Sequence, residues 1–99
     1  MLPFEIHPKA AREIQAGIDH YDADPPVRGA EFREALWETI SIVRTHPKMG
    51  RLRSSGVRSK LIDGFDFLIV YQEIDSGILI VAVPHARQRP DDWAERLSE

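Results

Sequence analysis

The side chains whose types and spacing point to chemistry are basic. Arg58 and Lys60 stand two apart in a segment that alternates like a strand, so both project from one face, and His85 and Arg87 do the same in a later segment. If those strands share a sheet, the four can converge. With Arg51 and Arg53 on an approaching loop they would make a concave basic surface suited to phosphates or to an acidic peptide. The competing reading is a set of solvated charges with no specific partner. His85 is by type the candidate general acid or base. No metal is expected: His7, His20 and His46 fall in different segments, without an i, i+4 pair and without a cysteine to join them. Ser54 and Ser55 beside Gly56 lack the strand–turn–helix setting of a nucleophile elbow, and Gly50 to Gly56 lacks the spacing of a phosphate loop, so no cofactor is expected either.

The charge pattern sharpens the reading. From Arg44 to Lys60 there are six basic residues (Arg44, Lys48, Arg51, Arg53, Arg58, Lys60) and no acid, although the chain as a whole carries a net charge of -3. A mild negative total argues against a protein that coats nucleic acid non-specifically, since that affinity comes from neutralising phosphates. Acids gather instead at Asp19, Asp22 and Asp24 and near the carboxyl end at Asp91, Asp92 and Glu95. With 99 residues the chain has room for one core and one domain, residues 1–99. No apolar run approaches membrane-spanning length, no secretory signal is legible, and cysteine is absent, so a soluble cytoplasmic protein without membrane contact is expected.

The elements that must position these residues follow from periodicity. Pro3 to His7 alternates as a short strand, and Pro8 sits where proline opens a helix. Ala10, Ala11, Ile14, Ile18 and Tyr21 form one apolar stripe, ended by Asp24-Pro25-Pro26. Ala30, Phe32, Leu36, Ile40 and Val43 form a second, stopped by Pro47 and Gly50. Val57 to Ile62 reads as a strand, and Asp63-Gly64 as a two-residue hairpin turn into a strand starting at Phe65. Asp75-Ser76-Gly77 turns the chain into a third meander strand, Ile78 to His85. Pro90 and Asp91 introduce a last short helix with Trp93 and Leu97. The expected class is α+β, order β-α-α-β-β-β-α, a helical hairpin packed on a small antiparallel sheet with the first strand on an edge.

In that order, several local signatures resemble the RelE/ParE superfamily of bacterial toxins of type II toxin–antitoxin systems. They are His7-Pro8-Lys9-Ala10-Ala11, then Ala30-Glu31-Phe32 with Leu36, then His46-Pro47-Lys48-Met49-Gly50-Arg51, an arginine-bearing strand and a Phe-rich strand ending Val70-Tyr71. The tail, His85-Ala86-Arg87-Gln88-Arg89-Pro90 followed by Asp92-Trp93-Ala94-Glu95-Arg96-Leu97, resembles the ParE-like branch most. The resemblance implies a RelE/ParE-like fold and a ParD-like antitoxin whose carboxyl-terminal segment folds as it wraps the toxin, in a toxin–antitoxin hetero-oligomer. Trp37, Tyr71 and Trp93 are the expected antitoxin contacts. It implies a plasmid-stabilisation type of role and, for ParE-like members, inhibition of DNA gyrase without enzymatic chemistry of their own. Arg51, Arg53, Arg58, Lys60, His85, Arg87 and Arg89 would then hold the target or its phosphates. RelE-like members instead cut messenger RNA on the ribosome; in that alternative Arg58, Lys60, His85 and Arg87 would be catalytic. The negative net charge, the tail helix and the lack of a tail tyrosine favour the ParE-like branch. A partner-binding module without toxicity is the remaining alternative.

Overall fold

A computed structural model describes residues 1–53, 56–87 and 96. Pro8 opens helix α1 (Pro8–Asp22), where its missing N–H costs nothing, and the His7 ring Nδ1 accepts the Lys9 amide at 3.1 Å as a cap. The helix ends before Pro25 and Pro26, which are joined by a cis peptide. Asp22, its last residue, accepts the Gly29 amide at 2.8 Å and so satisfies an orphan donor at the start of α2 (Gly29–Thr45). A Cβ at Gly29 would overlap that carboxylate, which is why the two helices can meet this closely only at glycine.

Among the described residues the strands are β1 (Phe4–Ile6), β2 (Arg51–Leu52), β3 (Arg58–Leu61), β4 (Leu68–Ile74) and β5 (Gly77–Ala82). They form one five-stranded sheet in the order β1-β5-β4-β3-β2. The meander β3-β4-β5 is antiparallel as expected, but β1 joins the edge parallel to β5, making the sheet mixed, and the loop carrying Arg51 adds β2 as a further edge strand. The parallel pairing follows from the helical hairpin, which returns the chain to the end of the sheet from which β1 left it. The expected helix from Pro90 lies outside the described residues.

The hairpin expected at Asp63-Gly64 is wider than a two-residue loop. Leu61 faces Leu68, and within the connection the Ile62 carbonyl accepts the Phe65 amide at 3.0 Å with Gly64 at φ +85°, a left-handed position suited to glycine. Widening the loop frees Phe65 to reach the helices, where its ring lies 4.9 Å from Tyr21 and 5.4 Å from Phe32. The tight reversal falls at Asp75-Ser76 instead, with Ile74 facing Gly77. The third meander strand also stops earlier than expected, at Ala82; His85 returns only as an isolated bridge to Phe67.

The helices cover one face of the sheet. Phe32, Leu36, Ile40 and Val43 pack with Ile69, Tyr71, Ile78 and Ile80, all essentially inaccessible. The opposite face carries a smaller cluster of Val57, Val70, Val81 and Ala82. A bulge separates these roles: Tyr71 faces Ile80 while Val70 faces Ala82, so Val81 is the extra residue. It flips the alternation, which puts both Val81 and Ala82 on the far face and returns Val83 to the helix-side core.

Candidate functional site

The register of β4 divides the candidate basic residues into two groups. Arg58 faces Tyr71 and Lys60 faces Ile69 from the β3 side, whereas His85 faces Phe67 from the β5 side. Four strand residues and two interstrand spacings therefore separate Arg58 from His85, roughly 16 Å. They do not share one concavity.

Arg58 is tied to backbone. Its Nη1 donates to the Gly50 carbonyl at 3.0 Å and to the Lys48 carbonyl at 3.3 Å, and so grips the connection between α2 and β2. Tyr71 grips the same connection: its hydroxyl donates to the Pro47 carbonyl at 2.8 Å and accepts the Gly50 amide at 2.9 Å. This corrects the reading of Tyr71 as an antitoxin contact, because the residue is 0% exposed and its hydroxyl is committed inside the molecule. Burial pushes its phenol above the ordinary value, against the lowering pull of the Gly50 amide and the Arg58 charge; Glu73 adds to the rise. Arg53 donates from Nε to the Ser59 hydroxyl at 2.8 Å, and Lys48 pairs with Glu73 at 3.2 Å in an exposed bridge. Arg51 is exposed and Lys60 half-buried.

At the other end of β4, the His85 Nδ1 accepts the Arg87 amide at 3.2 Å, and its ring stands edge-on to Phe67 at 5.3 Å. His20 approaches Phe67 at 6.0 Å. His85 and Arg87 do not share a face of the third meander strand as expected, because that strand ends at Ala82 and the two residues sit in the turn beyond it. Arg89 and Trp93 lie outside the described residues.

Of the expected contact residues among those described, Trp37 is the one left exposed. It is 40% exposed and touches Phe4 edge-on at 6.1 Å. It stands at one end of a groove of about 500 Å³ between the outer faces of the helices, lined also by Gln15, Ile18, Ala30, Arg33 and Glu34. Ile18, Ala30 and Trp37 together with charged Asp22, Arg33 and Glu34 suit an amphipathic peptide segment.

Sequence reading missed the pair that closes the β5 edge. β1 accompanies β5 only as far as Ile80, and past the bulge the Val81 carbonyl and Val83 amide turn to that vacated edge. Glu13 of α1 accepts the Val83 amide at 3.0 Å, and Arg96 donates to the Val81 carbonyl at 3.1 Å. The two side chains then join each other in a two-pronged pair, at 2.8 and 3.0 Å. They do what a neighbouring strand would do for buried backbone groups. No local signal announces a contact between residues so far apart in the chain. Glu13→Ala should cost about 2–3 kcal/mol, because it leaves the Val83 amide without its acceptor and removes both bonds that Glu13 makes to a largely buried guanidinium. Chemical denaturation checks this, and Glu13→Gln, which still accepts the amide, should lose less.

A two-helix hairpin over a mixed five-stranded sheet, with a groove between the helices and cations along one edge, defines a small α+β domain. A sequence profile described as the ParE toxin of type II toxin–antitoxin systems, parDE, matches residues 4–90. The chain belongs to this ParE toxin family. No curated protein sequence matches it. Among solved structures, a chain of the chromosomal ParDE toxin–antitoxin system from P. aeruginosa is similar in fold, with a TM-score of 0.74 at 19% identity, over 86% of this chain and 96% of that one.

Proposed function

We propose that this protein is the toxin half of a type II toxin–antitoxin pair, neutralised by a ParD-like antitoxin and acting, when free, by inhibiting DNA gyrase. The family match over residues 4–90 is the observation that carries the reading. The helical groove beside Trp37 supports the antitoxin half of it, since an antitoxin's terminal segment can bury apolar side chains there while its polar side chains meet Arg33 and Glu34.

The geometry also weighs against the ribonuclease alternative. Cleaving RNA needs a proton-transfer group and a cation on one phosphate, within hydrogen-bond reach of each other's work. His85 and Arg58 stand too far apart for that, and Arg58 Nη1 is held by two carbonyls. His85 with Arg87 is the residual candidate, and Arg58 lies four strand residues further along the sheet.

Expression of the chain alone in bacteria, with growth, gyrase-linked DNA breaks and message integrity scored in one culture, tests the proposal. Arrest with DNA breaks and intact messages is the expected result, relieved by co-expression of the antitoxin. Arrest with cut messages would transfer the function to RNA cleavage, and undisturbed growth with abundant folded protein would remove toxicity altogether.

A further inference from the structure

We infer that the outer face of α2 pairs with the same face of a second copy of this chain, the two helices running antiparallel about a two-fold axis between Arg33 and Glu34. Phe32, Leu36, Ile40 and Val43 commit one side of α2 to the core, while Ala30, Arg33, Glu34 and Trp37 stand away from it, all exposed. Their spacing is self-complementary. In an antiparallel pair, residues meet when their numbers have a constant sum, so the register that sets Arg33 against Glu34 of the second copy also sets Ala30 against its Trp37. A cation meets an anion and a small side chain meets a large one, and symmetry repeats both matches. Sliding the pair by one helical turn loses them, because it sets the Glu34 carboxylate against the indole of Trp37.

The groove gives that indole a seat. It holds about 500 Å³ between the helices, with Trp37 at one end and Ala30 beside Ile18 towards the other. Antiparallel pairing carries Trp37 of the second copy to the alanine end, where it can bury the 40% of its surface left exposed in the single chain. Arg33 and Glu34 form no ion pair among the described residues, so both charges are left to be met from outside. A partner of one sign, such as a nucleic acid or an acidic peptide, would satisfy one of them and oppose the other; a second copy satisfies both. Seated there, it covers the groove and competes with any peptide segment for it. The inference concerns the chain by itself and does not rest on the antitoxin reading.

Sedimentation equilibrium of the full chain alone, from about 1 to about 200 µM, is expected to show monomer and dimer with a dissociation constant on the order of 10 µM, as suits a small interface. Arg33→Glu and Glu34→Arg should each weaken self-association by roughly tenfold or more, because the two-fold axis counts every like-charge contact twice. Mixed in equal amounts, the two variants should associate about as tightly as wild type, since a chain with two acids then faces a chain with two bases; that recovery also shows that both are folded. Trp37→Ala should stay monomeric over the same range. A monomeric wild type, unchanged self-association in any of the three variants, or a mixture no tighter than its separate components would overturn the proposal. None of these outcomes bears on the toxin assignment, which the expression experiment tests separately.

Discussion

Phe32→Ala should lower the free energy of unfolding by about 3–5 kcal/mol, the usual cost of emptying a buried aromatic site. Phe32 is 0% exposed and is the point where helix and sheet aromatics meet: its ring lies 5.2 Å from Tyr21, 5.4 Å from Phe65 and 5.3 Å from Phe67. It also fills the space above Gly17, where a Cβ would come within 2.7 Å of its ring. The cavity left by alanine has little freedom to collapse, because Gly17 brings no side chain to fill it and Phe65 is held by its turn. At about 4–8 °C per kcal/mol for a domain of this size, the melting temperature should fall by roughly 12 °C or more. Calorimetry or thermal circular dichroism reads this directly. A loss under about 1 kcal/mol would mean that the aromatic cluster is not a cooperative part of the core.

The second large effect is at Tyr71. Tyr71→Phe keeps the ring and removes both hydroxyl bonds, leaving the Gly50 amide buried without its acceptor, at a cost of about 1–3 kcal/mol. A side chain at Gly50 could not take the hydroxyl's place, since even without it a Cβ there would stand 2.8 Å from the ring of residue 71 and 3.0 Å from the Ser59 carbonyl. The effect depends on pH in a direction set by the raised phenol. The folded protein holds this proton more tightly than the unfolded chain does. Its contribution is therefore complete below the unfolded value, near pH 10, and is lost as pH rises through the folded value. The difference in stability between wild type and Tyr71→Phe should be constant through neutrality and shrink above about pH 10. A difference that stays constant at high pH would show that the hydroxyl is not buried as described.

Much of the architecture was legible because it rests on local rules. Pro8, Asp24-Pro25-Pro26 and Pro47 with Gly50 punctuate the chain, and between them the apolar stripes have helical period, so α1 and α2 fall where periodicity puts them. The alternation Phe65, Phe67, Ile69, Tyr71 marks the helix-side face of β4 and the approach to it. The candidate site was legible only in composition. The basic stretch could be counted, but whether its members meet depends on register, and register is decided across strands: Arg58 against Tyr71 and His85 against Phe67 end up on opposite sides of β4. Tyr71 illustrates the same limit, since nothing in its neighbours says that its hydroxyl will be spent on Pro47 and Gly50.

Residue order alone thus settles where the two helices begin and end, which faces are apolar and where cations concentrate, because these depend on interactions within a few residues. The parallel placement of β1, the bulge at Val81 that sends Val83 back into the core, and the Glu13–Arg96 clasp belong to the folded molecule. Each satisfies a backbone group or fills a space that comes into existence only when distant segments are brought together, and so no local pattern encodes it.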